Sequence, residues 1–370
     1  MRIASYNVEN LFDRARIMNL PDWSDGRPVL EDFKALTDLL EQPAYGNADK
    51  ARILELMAKL DLLASDQGPY VTLRRNRGQL VVRRRDGTVD VVANGRADWI
   101  GWLELRTEAV NATAIRNTAQ VIRDLRADIL TVIEAENRTA LMAFNDDLLA
   151  TVGGVKAESI MLIDGNDARG IDVGLLTGPG HAIGLMRSHV NEGRPVRAVF
   201  SRDCPEYQVT TPAGEVVWVL PCHFKSKGFG SPRDNDAKRL REATAVAGYV
   251  SRLLAEGAAN VVVLGDMNDT PDSAPLAPLF GHPNLHAAHT HPTWQVQPPD
   301  RPGTRMLGAK SDHIDHILLS DALWARMTAG GVFRRGAWPG KRTRHWDAYP
   351  EIEREIHAAS DHHAVWVELT

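Results

Sequence analysis

The feature that most constrains this chain is an alternation of short apolar runs with amphipathic stretches of helical period. Runs of strand character cover Arg2–Val8, Asp128–Ile133, Ser159–Ile163, Ile171–Leu176, Val196–Ser201, Val216–Pro221, Val261–Leu264, Ile314–Leu319 and Ala364–Leu369. They are bounded by Gly, Asn, Asp and Pro, as strand ends usually are. Between them Ile53, Met57, Leu60 and Ala64 recur at helical spacing, as do Ile115, Ala119, Ile122 and Leu125. A third helix is predicted over Asp236–Glu256, with Leu240, Ala243, Ala247, Val250 and Leu254 on one face. Gly257 stands where a left-handed C-cap belongs. Such an alternation defines an α/β chain.

Two segments depart from the pattern. Residues of about 65–108 read as β-hairpin strands around Arg85-Asp86-Gly87-Thr88, a good turn sequence, and interrupt the stretch before the helix near Asn111. Residues 281–312 form a Pro- and His-rich segment, far longer than an ordinary loop and a candidate border of a substrate cleft. There is no internal repeat and no obvious linker, so residues 1–370 are expected to form one domain carrying the insertion.

Composition narrows the function classes. A chain of 370 residues with 44% hydrophobic and 25% charged residues has the makeup of a globular enzyme. At that length it buries about 75% of its unfolded surface and needs no staples. Its two cysteines exclude a disulfide scaffold and a four-cysteine zinc site. No run of 18 apolar residues is present to span a membrane, and no signal peptide is visible, so the expected location is cytoplasmic. The net charge of −5 does not advertise a nucleic-acid binder, although a basic cleft can sit on an acidic body.

The chemistry gathers where strands meet loops. Asn7 ends the first run, Glu134 and His223 follow later ones, and Asp266 and Asn268 follow Val261–Gly265. Asp315 lies in Ile314–Leu319, and Asp361-His362 precede the last run. Strand ends are where α/β sheets collect ligands. Carboxylates with an amide oxygen make a hard site that suits Mg²⁺ or Mn²⁺ better than zinc. Singly, each residue has a plainer reading: a turn amide, a helix-start charge, an Asx turn, a hydrogen-bonded histidine.

Their joint order resembles the endonuclease/exonuclease/phosphatase superfamily. The resemblance rests on Ser5-Tyr6-Asn7-Val8-Glu9-Asn10-Leu11-Phe12, Ile133-Glu134-Ala135-Glu136-Asn137, Arg169-Gly170-Ile171-Asp172-Val173 and Cys222-His223-Phe224-Lys225-Ser226-Lys227. It continues through Leu264-Gly265-Asp266-Met267-Asn268-Asp269, Ile314-Asp315-His316-Ile317-Leu318 and Ser360-Asp361-His362-His363. It implies a sandwich of two packed mixed β-sheets flanked by helices. It also implies metal ligation by Glu134, Asn7 and Asp361, with Asp266 orienting or deprotonating the attacking water. Asn268 and His362 would contact the phosphate, Asp315 would fix the His362 tautomer, and His223 would act as general acid near the leaving oxygen. Ile133 stands where many members have Gln, and the wall tyrosine of abasic-site nucleases has no clear counterpart. Arg169, Lys225 and Lys227 are candidate phosphate contacts; Asp172 could equally belong to the sheet framework.

The implied activity is Mg²⁺- or Mn²⁺-dependent hydrolysis of phosphodiesters, with DNA or RNA as the expected substrate and water attacking phosphorus directly. One rival is a phosphatase or phosphodiesterase for a lipid, inositol phosphate or nucleotide; another is a noncatalytic binding module. The insertion carries Arg74, Arg75, Arg77, Arg83, Arg84 and Arg85 with no acid between residues 70 and 84. They could grip phosphates or blunt an exposed edge strand. His282, His286, His289 and His291 suggest a second metal site, but a loop that borders the cleft is the plainer expectation.

Overall fold

Most of the predicted runs become strands in the computed structural model, which describes residues 1–20, 23–167, 169–194, 197–228 and 230–370. The chain gathers into two compact units. One consists of Met1–Phe12, Val110–Lys227 and Ser231–Thr370, the other of Asp13–Ala109 with Gly228–Gly230.

The larger unit is built on two mixed sheets. The seven-stranded sheet runs Trp294–Gln295, Met327–Phe333, Ala364–Leu369, Arg2–Asn7, Ile129–Ala135, Asp172–Thr177, Ser159–Ile163. The six-stranded sheet runs Ala182–Arg187, Glu206–Thr210, Val216–His223, Val261–Asp266, Asp315–Ser320, Leu285–Ala287. Side chains alternate between the faces of a strand, and both faces of these strands are apolar. Ile3, Ile129, Val365 and Val367 of one sheet share a core with Val217, Val219, Val262, Leu264, Ile317 and Leu319 of the other. On the far side of the first sheet, Ala4, Tyr6, Leu130 and Val132 pack with Ala119, Ile122 and Leu125 of helix Ala112–Leu125. On the far side of the second, Leu220, Cys222, Val261 and Val263 pack with Ala243, Val246, Val250 and Leu253 of helix Pro232–Ala255. The layers are helix, sheet, sheet, helix, the sandwich that the resemblance implied.

Local signals set the helix ends. Asn111 and Ser231 accept hydrogen bonds from the backbone N–H groups of Thr113 and Asp234, and Pro232 occupies the first turn, where its missing N–H costs nothing. Gly257 has φ +93°, the left-handed conformation expected of it. The earlier helix, Asn47–Lys59, stops short of the predicted Ala64. Val196 lies outside the described residues, and residues 197–201 are irregular rather than a strand. Within 281–312 the predicted loop holds two short strands, Leu285–Ala287 and Trp294–Gln295. Among the described residues, no helix is long and apolar enough to cross a membrane.

The smaller unit is larger than the predicted insertion. It contains helices Trp23–Leu40 and Asn47–Lys59 and the strand pairs Asp13–Ala15 with Thr107–Ala109, Val71–Arg77 with Ile100–Leu105, and Val81–Arg83 with Val89–Val91. Its own core joins Leu36, Leu40, Ile53, Met57, Leu73, Trp99 and Leu103. The acid-free arginine run is not acid-free in space. Arg74 pairs with Glu104 and Arg84 with Asp90. Arg83 reaches Asp66 at 2.8 Å and also donates to the carbonyls of Leu62 and Leu63 at 2.8 and 2.6 Å. Arg75, Arg77 and Arg85 remain exposed, with no ion partner among the described residues.

Candidate active site

Strand parity assembles the site. On Val216–His223, Val217 and Val219 face the inter-sheet core, so His223 emerges on that side; the same count brings Asp266 in line with Val262 and Leu264, and Asp315 with Ile317 and Leu319. Register then makes neighbours of them, because His223 lies opposite Asp266 and Asp266 opposite Asp315. In the facing sheet Ile3 points inward, which places Asn7 at the end of the same row.

Glu134 reaches the site through a break in the sheet. The ladder steps from Asp172 opposite Ala135 to Val173 opposite Ile133, leaving Glu134 as a bulged residue with φ +67°. A left-handed conformation is costly for a residue with a Cβ, and such outliers concentrate at functional sites. The flanking backbone holds it: Val8 N–H donates to Ile133 O at 2.9 Å, and Asn10 N–H to Glu134 O at 3.1 Å.

One oxygen, Asp266 Oδ2, is the centre of the arrangement. Asn7 Nδ2 donates to it at 3.2 Å, while His223 Nε2 lies 3.6 Å and His362 Nε2 3.8 Å away. His223 Nε2 also lies 3.5 Å from Glu134 Oε1, and ligand atoms of Glu134, His223 and Asp266 fall within 4.8 Å of one another. His362 Nδ1 is 2.9 Å from Asp315 Oδ2, which in turn accepts from Thr304 Oγ1 at 2.6 Å. Asn268 N–H donates to Asp266 Oδ1 at 2.8 Å, and its side-chain Nδ2 donates to Phe224 O at 3.0 Å.

These neighbours separate the charges. Burial, with Asp315 and Glu134 close by, pushes the Asp266 carboxyl up to about 7 against the pull of His362. Burial disfavours charge on His362, yet Asp315, Asp361 and Asp266 outweigh it and raise its pKa to about 10. His223 goes the other way: burial, then the guanidiniums of Arg202 and Arg169, hold it well below the ordinary histidine value.

The remaining predicted residues have other attachments. Asp361 Oδ2 accepts from Arg305 Nε at 2.8 Å, and the Asp361 backbone N–H donates to Glu9 at 3.0 Å. Arg169 is not a surface arginine; it forks onto Asp167 at 3.0 and 2.8 Å. Burial, Arg202 and Arg169 lower Lys225 to about 7, and Lys227 pairs with Asp269 at 2.6 Å. Asp172 accepts from Gly165 N–H at 2.7 Å, a framework role.

Several supporting residues escaped the sequence reading. Glu242 accepts from Ser201 N–H and Lys225 N–H, both at 2.7 Å, and buried Arg239 bridges Asp269 and the Lys225 carbonyl. A charged pair beside the apolar face of helix Pro232–Ala255 was the available signal. Arg202 joins Asp167 to the Phe224 carbonyl, and Thr304 braces Asp315; neither carried a motif.

Residues 104–362 match the model of the Endonuclease/Exonuclease/phosphatase family. The chain belongs to that family, whose members are hydrolytic phosphoesterases and typically use divalent metal ions. It is similar in fold to an endonuclease/exonuclease/phosphatase family protein from Bacteroides thetaiotaomicron, with 16% identity, 70% of this chain and 86% of that chain covered, and a TM-score of 0.51. A mannosyl-6-phosphatase from Bacteroides thetaiotaomicron VPI-5482 gives 15% identity, coverage of 70% and 91%, and a TM-score of 0.50. No curated protein sequence matches the chain. The residues present fit a divalent cation: Glu134 and Asp266 crowd like charge into a buried site beside a neutral imidazole, and a cation would relieve it.

Proposed function

We propose that this chain hydrolyses phosphoester bonds by direct attack of water, assisted by Mg²⁺ or Mn²⁺. The observation that carries the reading is the convergence of Asn7, Glu134, His223 and His362 on Asp266, with Asp315 behind His362. Glu134 and Asn7 would hold the cation, with Asp361 joining once its carboxylate leaves Arg305. When bound, the cation neutralises charge on the phosphoryl oxygens.

The protein groups divide the remaining work. Asp266 orients the water and accepts its proton, a task suited to a carboxyl poised near neutral pH. His362, its Nδ1 engaged by Asp315, presents Nε2–H to the phosphate, where charge accumulates in the transition state. Asn268 spends one amide hydrogen on Phe224 O and has a second for a phosphate oxygen. His223 gives a proton to the leaving oxygen once the anionic substrate offsets the burial and the arginine field that keep it neutral. Arg169 and Lys225 supply positive potential at the phosphate, and Lys227 acts chiefly through Asp269.

Two features bear on the substrate: the arginines of the smaller unit and the likeness in fold. Exposed Arg75, Arg77 and Arg85 support DNA or RNA, the first reading. A small phosphoester is the second, favoured by the local pairing of Arg74, Arg83 and Arg84 and by the likeness to a mannosyl-6-phosphatase. A screen with added Mg²⁺ or Mn²⁺ over single- and double-stranded DNA, RNA, abasic DNA and sugar and nucleotide phosphates tests both. Turnover confined to polynucleotides supports the first, and turnover confined to small esters the second. No hydrolysis across the panel would defeat phosphoesterase activity and favour a binding module.

A further inference from the structure

Behind the strand that carries Asp315, three histidines from separated parts of the chain meet. His289 lies in the short 3-10 turn Ala288–Thr290, His313 just before strand Asp315–Ser320, and His316 on that strand. One ring nitrogen from each falls within 4.8 Å of the others. Their rings are set edge to face or tilted: centroids of His289 and His313 are 4.8 Å apart at 77°, and those of His313 and His316 4.9 Å apart at 41°. His313 and His316 are buried and His289 half-buried.

We propose that His289, His313 and His316 form a binding site for a divalent transition metal of zinc type, separate from the Glu134–Asp266 centre. The second observation is at His316. Its Nε2 lies 2.9 Å from the Asp269 carbonyl, an acceptor only, so the proton sits on Nε2. Nδ1 is then a bare lone pair, and it is fully buried with no hydrogen-bond partner. A ligating histidine whose other nitrogen donates to a backbone carbonyl is the usual metal-site arrangement. Burial keeps all three imidazoles neutral, as ligation requires, with His313 lowered to about 3.

The donor set selects the ion. Three imidazoles suit zinc and its neighbours, unlike the carboxylate-rich centre on the other side of the strand. Tetrahedral bonds of about 2.0–2.1 Å bring ligand nitrogens to roughly 3.4 Å from one another, so nitrogens within 4.8 Å need to close by at most about 1.4 Å. A water can take the fourth position. An ion here would staple the segment containing His289 to the strand bearing Asp315. It would also polarise the Asp269 carbonyl bond in the loop that follows Asp266.

Cobalt distinguishes the two centres, because tetrahedral imidazole-ligated Co²⁺ absorbs strongly in the visible and octahedral oxygen-ligated Co²⁺ only weakly. The whole chain, stripped with chelator and dialysed, is titrated with CoCl₂ and then with ZnCl₂. One equivalent of strong visible bands, displaced by zinc, is expected in the wild type and in Glu134→Gln. The bands should vanish in His313→Ala and in His289→Gln with circular dichroism unchanged; should His313→Ala not fold, the half-buried His289 variant decides alone. Absent bands in the wild type, bands surviving a folded His289→Gln, or bands lost in Glu134→Gln would each overturn the site.

Discussion

Replacing Thr304 by Val removes one buried hydroxyl while keeping the shape of the side chain. That hydroxyl donates to Asp315 Oδ2 at 2.6 Å and accepts from the N–H groups of Ile314 and Asp315 at 3.1 and 2.9 Å. The side chain is fully buried, so no water can replace it. A buried donor left unsatisfied costs about 1–3 kcal/mol, and two are created, giving a destabilisation of roughly 3 kcal/mol after some relaxation. For a unit of this size that lowers the melting midpoint by roughly 6 °C. Turnover should fall as well. A hydrogen bond to a charged group contributes about 1.5–3 kcal/mol, and a loosened Asp315 holds His362 less firmly, so kcat should drop roughly 10- to 100-fold. Thermal unfolding with steady-state kinetics on the substrate found in the screen measures both, and Thr304→Ser, which keeps the hydroxyl, should recover most of each loss. A Thr304→Val protein that melts and turns over like the wild type would show that Asp315 needs no brace and that His362 is not positioned through it.

His362→Ala should lower turnover at least ~10²-fold and Asp315→Asn should follow it in direction, measured as kcat on folded protein. Asp172 should make stability pH-dependent: burial raises its carboxyl from 3.8 to about 7, so the folded state prefers the proton. Stability is then highest below the unfolded pKa, is lost between about pH 4 and 7 at up to about 1.4 kcal/mol per unit, and is flat above. Asp172→Asn should therefore raise the urea midpoint relative to wild type more at pH 8 than at pH 5. Arg75, Arg77 and Arg85 replaced by Ser should lower the salt slope of log affinity for a polynucleotide by roughly 0.7–0.9 per lost phosphate contact, with turnover of a small ester unchanged. An unaltered slope would leave those arginines as edge protection.

Strand parity and terminal residue type made much of the fold and site legible. Asn7, His223 and Asp266 could be placed at strand ends because the apolar run before each was unambiguous, and Asp315 because the run after it was. What was hidden depends on tertiary partners. Gly26 and Pro28, both poor helix formers, masked helix Trp23–Leu40, so the insertion read as starting near residue 65 rather than at Asp13. Gly330 and Gly331 diluted strand Met327–Phe333, and the exposed edge strand Ala182–Arg187 offers few buried residues to read. Arginine pairing was invisible because Asp66, Asp90 and Glu104 meet Arg83, Arg84 and Arg74 across strands and loops, not along the chain. The histidine cluster was invisible for the same reason. Of the four histidines noticed between 282 and 291, only His289 joins it, while His286 pairs with Asp321 and His282 lies against Ser251.

In the proposed function, hydrolysis runs on a cation held by Glu134 beside Asp266. Its most direct measurement is initial rate against Mg²⁺ or Mn²⁺ concentration for chelator-stripped wild type and Glu134→Gln, with circular dichroism as the folding control. The stripped wild type should be inactive and recover fully with added metal. Glu134→Gln, similar in volume but without the charge, should stay folded and require far more metal for any given rate. Full activity in exhaustively stripped protein, or a metal requirement untouched by Glu134→Gln, would contradict the account.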